Sequence, residues 1–167
     1  MKKTFLAGLA LLLAGGASLV FAGKEDDAKK YIQDLKTSKD VQVKVIAVTE
    51  IGNIGMVRKS YVKDAVPLLV ESCKAKEPKL RAAAAEALGK VDPPTDANAV
   101  ELLTDIVKTD KDTDVKLAAT RGLAALGAKA KSALPTLQEI VKNEDKKSKL
   151  YRGAMDASRA IREVTKK

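Results

Sequence analysis

Two columns of charge run through the sequence at a fixed interval. Glu71, Asp105 and Glu139 stand 34 residues apart, and Lys74, Lys108 and Lys142 follow each of them by three. On a helix an acid shares a face with a lysine three residues later, and a lysine in the last turn meets the negative end of the helix dipole. Such a set reads as a solvated ladder of pairs, each worth about a few tenths of a kcal/mol. Little else in the chain could do chemistry. It contains no histidine and no tryptophan, which removes Ser–His and Cys–His catalysis, His-ligated zinc and His proton shuttles. A single cysteine, Cys73, allows neither an internal disulfide nor a cysteine-cluster metal site. Cys73 shares a 34-residue column with Val107 and Val141, so it is expected to be a buried small hydrophobe with no imidazole to activate it. No catalytic residue, metal ligand or cofactor is expected.

Charge is the remaining lead. The 167 residues carry 31 Lys and Arg against 22 Asp and Glu, a formal net of +9, which allows an acidic partner without requiring one. Residues 142–167 hold nine basic and four acidic side chains, so much of the excess lies at the C-terminal end. A solvated terminal helix accounts for much of this; an acidic protein or a lipid headgroup is a second account. Nucleic acid ranks lower, because stacking aromatics are scarce and no nucleic-acid motif is present.

The elements that position these residues begin after a separable leader. Lys2 and Lys3 precede an apolar run from Phe5 to Ala14, and Val20-Phe21-Ala22 ends in the small-x-small pattern that signal peptidase accepts. Residues 1–22 therefore read as a signal peptide cleaved before Gly23, and residues 23–167 as one exported domain, periplasmic or secreted. Cleavage lowers the formal charge to +7, since it removes two lysines and no acid. The rival reading is an uncleaved anchor, because Phe5 to Ala22 is 18 residues without a charge; membrane contact is expected only in that case.

The exported part repeats. Val43-Lys44, Leu80-Arg81, Val115-Lys116 and Leu150-Tyr151 are equivalent, at offsets of 37, 35 and 35 residues. Each opens a helix of about four turns with apolar residues at helical spacing, followed by glycine (Gly52, Gly89, Gly127) where a left-handed C-terminal residue would sit. A second helix follows in each copy. Leu69, Leu103 and Leu137 are 34 apart and mark its core, and Asp64, Asn98 and Ser132 are expected as its N-caps, with Asn98 and Glu101 similar to a capping box. Pro67 and Pro135 sit in its first turn or, alternatively, follow a short helical turn. Asp40, Glu77 and Asp112 read as N-caps or first-turn acids of the first helices. Ala28, Tyr31, Ile32 and Leu35 form a lone opening helix, and the stripe Leu150, Ala154, Ala157, Ile161 and Val164 a closing one. No segment alternates with period two, so the expected class is all-α: repeats at about 40–76, 77–111 and 112–146, then a final helix over 148–165.

This pattern resembles HEAT repeats, in particular the short bacterial HEAT-like type related to phycobilisome-lyase repeats. The resemblance rests on Asp114-Val115-Lys116-Leu117-Ala118-Ala119, Leu123-Ala124-Ala125-Leu126-Gly127, Ala133-Leu134-Pro135-Thr136-Leu137 and the stretch EPKLRAAAAEALG from Glu77 to Gly89. It spans about residues 28–164. It implies an α-α superhelix whose second helices line a concave binding face, which would make Glu71, Lys74, Asp105, Lys108, Glu139 and Lys142 a partner-facing stripe. It also implies that Lys44, Arg81 and Lys116 form a basic ladder paired to acids of the adjacent repeat. The leading functional expectation is an exported, monomeric, non-catalytic module that binds a protein partner or acts as a scaffold. An accessory of the bilin-lyase type and an electrostatic binder of anionic surfaces are the alternatives.

Overall fold

The computed structural model describes residues 24–94 and 98–166; the leader and its cleavage site lie outside them. Eight α-helices follow one another: α1 over 24–37, α2 Val41–Val57, α3 Val66–Ser72, α4 Pro78–Val91, α5 Ala99–Thr109, α6 Thr113–Leu126, α7 Leu134–Asn143 and α8 Lys149–Thr165. No strand occurs among the described residues. The fold is an all-α solenoid of consecutive helix pairs.

Local chemistry sets where the first helices begin. Asp40 accepts from the Gln42 N–H at 2.7 Å, Asp112 from the Asp114 and Val115 N–H groups at 2.9 and 3.1 Å, and Ser148 from Tyr151 at 3.0 Å. Each side-chain oxygen takes up donors that have no intrahelical acceptor. Glu77 holds the N-cap position of α4 but its side chain makes no capping bond; Pro78 supplies the preset first-turn backbone instead.

The second helices begin differently from the expectation. Asp64 and Ser132 cap nothing, because each lies inside a 3-10 turn, Lys63–Ala65 and Gly127–Ala133, that runs straight into α3 and α7. Both readings of the prolines hold together: a short turn precedes Pro67 and Pro135, and each stands in the first turn of α3 or α7. Asn98 does stand at the N-cap of α5, but at φ +50° its side chain makes no capping bond, so no capping box forms with Glu101.

Two layers result. The first helices α2, α4, α6 and α8 pack in sequence on one another, and α3, α5 and α7 lie against the first helices that follow them, α4, α6 and α8. Ile51, Leu88 and Leu123 of the first layer and Leu69, Leu103 and Leu137 of the second are fully buried in one shared core, which Ala28 and Leu35 of α1 extend at the N-terminal end. Neither member of a pair could hide its apolar stripe alone, and stacking joins the stripes.

The first-layer seam is built on small residues. Gly52 and Gly89 lie within α2 and α4 rather than ending them. A Cβ on Gly89 would stand 2.2 Å from the Gly122 carbonyl oxygen, so α4 and α6 meet backbone to backbone there. Gly127 alone of the three glycines takes the terminating position, at φ +56°, and Asp92 fills the equivalent left-handed place after α4 at φ +46°. No described helix is long and apolar enough to cross a membrane.

Candidate functional site

All six residues of the two charge columns are exposed, and they lie along the second layer. Leu103 and Leu137 anchor α5 and α7 to the core, which turns Asp105, Lys108, Glu139 and Lys142 outward. The first member departs from the others. α3 ends at Ser72, so Lys74 sits in the turn beyond it, its N–H donating to the Glu71 carbonyl at 2.9 Å.

The expected ladder does not form. None of the six side chains enters an ion pair within 4.0 Å among the described residues. An exposed pair gains too little to hold two long side chains in one geometry. Clefts along the second helices bring some of the residues together instead. Asp105 and Lys108 line one of about 600 Å³ with Pro93, Thr104 and Lys129. Lys108 also lines a neighbouring cleft of about 360 Å³ with Lys116, Glu139 and Glu144. Lys142 lines a third, of about 530 Å³, between α7 and α8. Glu71 and Lys74 lie outside these three clefts.

Cys73 is buried beneath this layer at 3% exposure. Burial pushes its thiol up to about 12, with the nearby Lys74 charge acting weakly the other way. A thiol at that value supplies almost no thiolate near neutral pH, so it does no nucleophilic chemistry. The described residues hold no cluster of three metal-ligating side chains.

Two charge clusters escaped the sequence reading. Arg81 Nε and Nη2 grip Asp110 Oδ2 and Oδ1 at 2.8 and 2.9 Å, while Nη1 donates to the Ala75 and Lys76 carbonyls at 3.0 and 2.7 Å. The basic ladder was expected to reach the adjacent repeat. Asp110 belongs to the same repeat, because α5 returns antiparallel to α4 and brings its C-terminal end beside the start of α4. The hydrogen bond from Arg81 holds the Asp110 carboxyl below its ordinary value despite burial, with help from the Asp112 N–H. Lys116, the next rung, reaches only the Lys108 carbonyl, at 3.5 Å.

The second cluster centres on Asp92, which takes Lys59 on one oxygen and Lys129 on the other, the latter at 2.6 Å. Burial raises this carboxyl, and the hydrogen bonds from Lys129 and Lys59 more than offset it, leaving it below its ordinary value. Lys59 follows α2 and Lys129 follows α6, so one carboxylate ties the interhelical turns of three successive repeats. The cluster joins an acid in one repeat to lysines in the two beside it, so its members formed no column of like residues.

Stacked antiparallel helix pairs that share one aliphatic core and offer a charged outer layer define an α-solenoid. The family model for HEAT repeats matches residues 28–124, more than half of the chain, and the chain belongs to the HEAT repeat family. No curated protein matches it. HEAT repeats generally act as non-catalytic modules for contact between proteins. The chain is a helical-repeat protein of this family.

Proposed function

We propose that the chain is an exported, non-catalytic scaffold whose second-helix layer receives a protein partner. The observation that carries this reading is the set of unpaired side chains Glu71, Lys74, Asp105, Lys108, Glu139 and Lys142, left exposed along that layer and in part lining its clefts. Charges without internal partners cost no desolvated pair when they turn to an incoming surface, and they steer it from a distance. A partner with acidic side chains fits the lysine column and the net charge of +9. Export rests on the Lys2-Lys3 start and the Val20-Phe21-Ala22 ending; intact mass of protein from an extracytoplasmic fraction should place the N-terminus at or near Gly23.

The test of the binding face is Lys74→Gln with Lys108→Gln and Lys142→Gln together. Stability should fall by about 1 kcal/mol or less. Affinity for a partner captured by cross-linking should fall at least tenfold, and its salt dependence should flatten. Unchanged affinity in the triple variant would place the partner elsewhere on the molecule.

A further inference from the structure

The last helix breaks the register of the first layer at the three positions that would meet another repeat. Ile51, Leu88 and Leu123 are fully buried, and the next residue in that column is Ser158. Gly52, Gly89 and Ala124 are followed by Arg159, and Val48, Ala85 and Thr120 by Met155. In the preceding helices these positions face the neighbouring first helix: Gly89 abuts Gly122, and Gly153 of α8 abuts Leu117 and Thr120. Among the described residues no repeat packs on this face of α8. It forms one wall of the cleft of about 530 Å³, and α7 forms the other.

The chemistry of this seat is one-sided. Lys142, Arg159, Arg162 and Lys166 line it against a single acid, Glu163, and Val141 and Met155 give it an apolar floor. Arg159 reaches Asp156 at 3.4 Å; Lys142, Arg162 and Lys166 enter no ion pair among the described residues. Ser158, also in the lining and 7% exposed, has a buried hydroxyl with no hydrogen-bond partner.

We propose that this end face seats an acidic amphipathic helix of a protein partner, laid between α7 and α8 where a further repeat would stack. The proposal rests on the module reading above and names the partner's contacting element. The shape is that of a helix seat, because the register positions on α8 are those that hold a helix elsewhere in the stack. The charge selects carboxylates, and the Val141–Met155 floor takes the apolar side of the incoming helix.

The test uses the mature protein and a synthetic helical peptide of about four turns, with leucines along one face and glutamates flanking them, beside a twin carrying glutamine for glutamate. Fluorescence anisotropy should show the glutamate peptide binding at least tenfold tighter than its twin. Arg159→Gln with Arg162→Gln and Lys166→Gln should lose at least tenfold of that binding with the circular dichroism unchanged, and Lys39→Gln with Lys79→Gln, two exposed lysines outside this cleft, should bind like the parent. Equal affinity of the two peptides, or full binding by the Arg159/Arg162/Lys166 variant, overturns the proposal. So does self-association in sedimentation that the same substitutions abolish, which would make a second copy the occupant. Capture of anionic vesicles without peptide binding overturns it in favour of a lipid surface. If the peptide fails while a captured protein partner depends on Lys74 and Lys108, the end face falls and the module reading stands.

Discussion

Arg81 and Asp110 show how much one side-chain pair can carry when its geometry is complete. The guanidinium uses both arms on one carboxylate and its third nitrogen on two carbonyls of the preceding turn, with side-chain exposures of 17% and 9%. Asp110→Asn should therefore cost about 1–3 kcal/mol at neutral pH, as expected for hydrogen bonds to charged groups. The pH dependence has a definite sign. A carboxyl held below its ordinary value of 3.8 in the folded state binds its proton more readily when unfolded. Its contribution is thus present above about pH 4 and is lost as pH falls through the folded value. Urea melts at pH 7 and pH 3 should show a smaller loss for Asp110→Asn than for the parent. Cys73 gives a second prediction at this scale. With its thiol pushed up to about 12, it should resist iodoacetamide in the native protein at pH 8 and react once urea unfolds the chain. Rapid native labelling, followed by mass spectrometry, would contradict the burial described above.

Helices test the balance between intrinsic preference and contact. Ala outranks Gly in a helix interior by about 1 kcal/mol, so propensity says Gly89→Ala stabilises α4. The seam says the opposite, since the added Cβ would sit 2.2 Å from the Gly122 carbonyl oxygen. Backbone on both sides cannot step aside as a side chain would. Gly89→Ala should cost about 1–3 kcal/mol or more by overpacking, read as a lower denaturation midpoint. The helices themselves were legible from apolar spacing, and Asp40 and Asp112 were legible as caps. Their entries were less so. Asp64 and Ser132 have cap chemistry, but the 3-10 turns ahead of α3 and α7 leave their side chains no free helix start to serve. Gly52 and Gly89 look the same as Gly127 in sequence, and only the approach of the neighbouring helix separates a packing glycine from a terminating one.

At the level of the whole molecule, the shared core makes the repeats interdependent. Leu103 and Leu137 are both fully buried, one in each of two neighbouring second helices. Leu103→Ala and Leu137→Ala should each cost about 2–5 kcal/mol. Because each repeat leans on the next, either change should lower one common transition, with coincident fluorescence-labelled and circular dichroism melts. A loss below about 0.5 kcal/mol at both positions would mean the leucines are not the core column. The fold was readable from periodicity because three copies of one pattern reinforce one another. The partner-facing residues were only half readable, since equal spacing picks out a column but does not say whether its members pair. Asp92 left no trace as a column, because its partners in the neighbouring repeats are lysines and not acids like itself.

That Asp92 tie has a mechanical side. A stack whose members touch only their neighbours stretches and bends at its joints in the manner of a spring. Lys59 and Lys129 reach a single carboxylate from the joints on either side of α4, and so they brace one edge of the spring at its midpoint. A force that opens that edge must draw two ammonium groups off one anion. Both lysines are partly exposed to solvent, at 59% and 44%, and dissolved salt screens their attraction. The brace should therefore slacken as ionic strength rises.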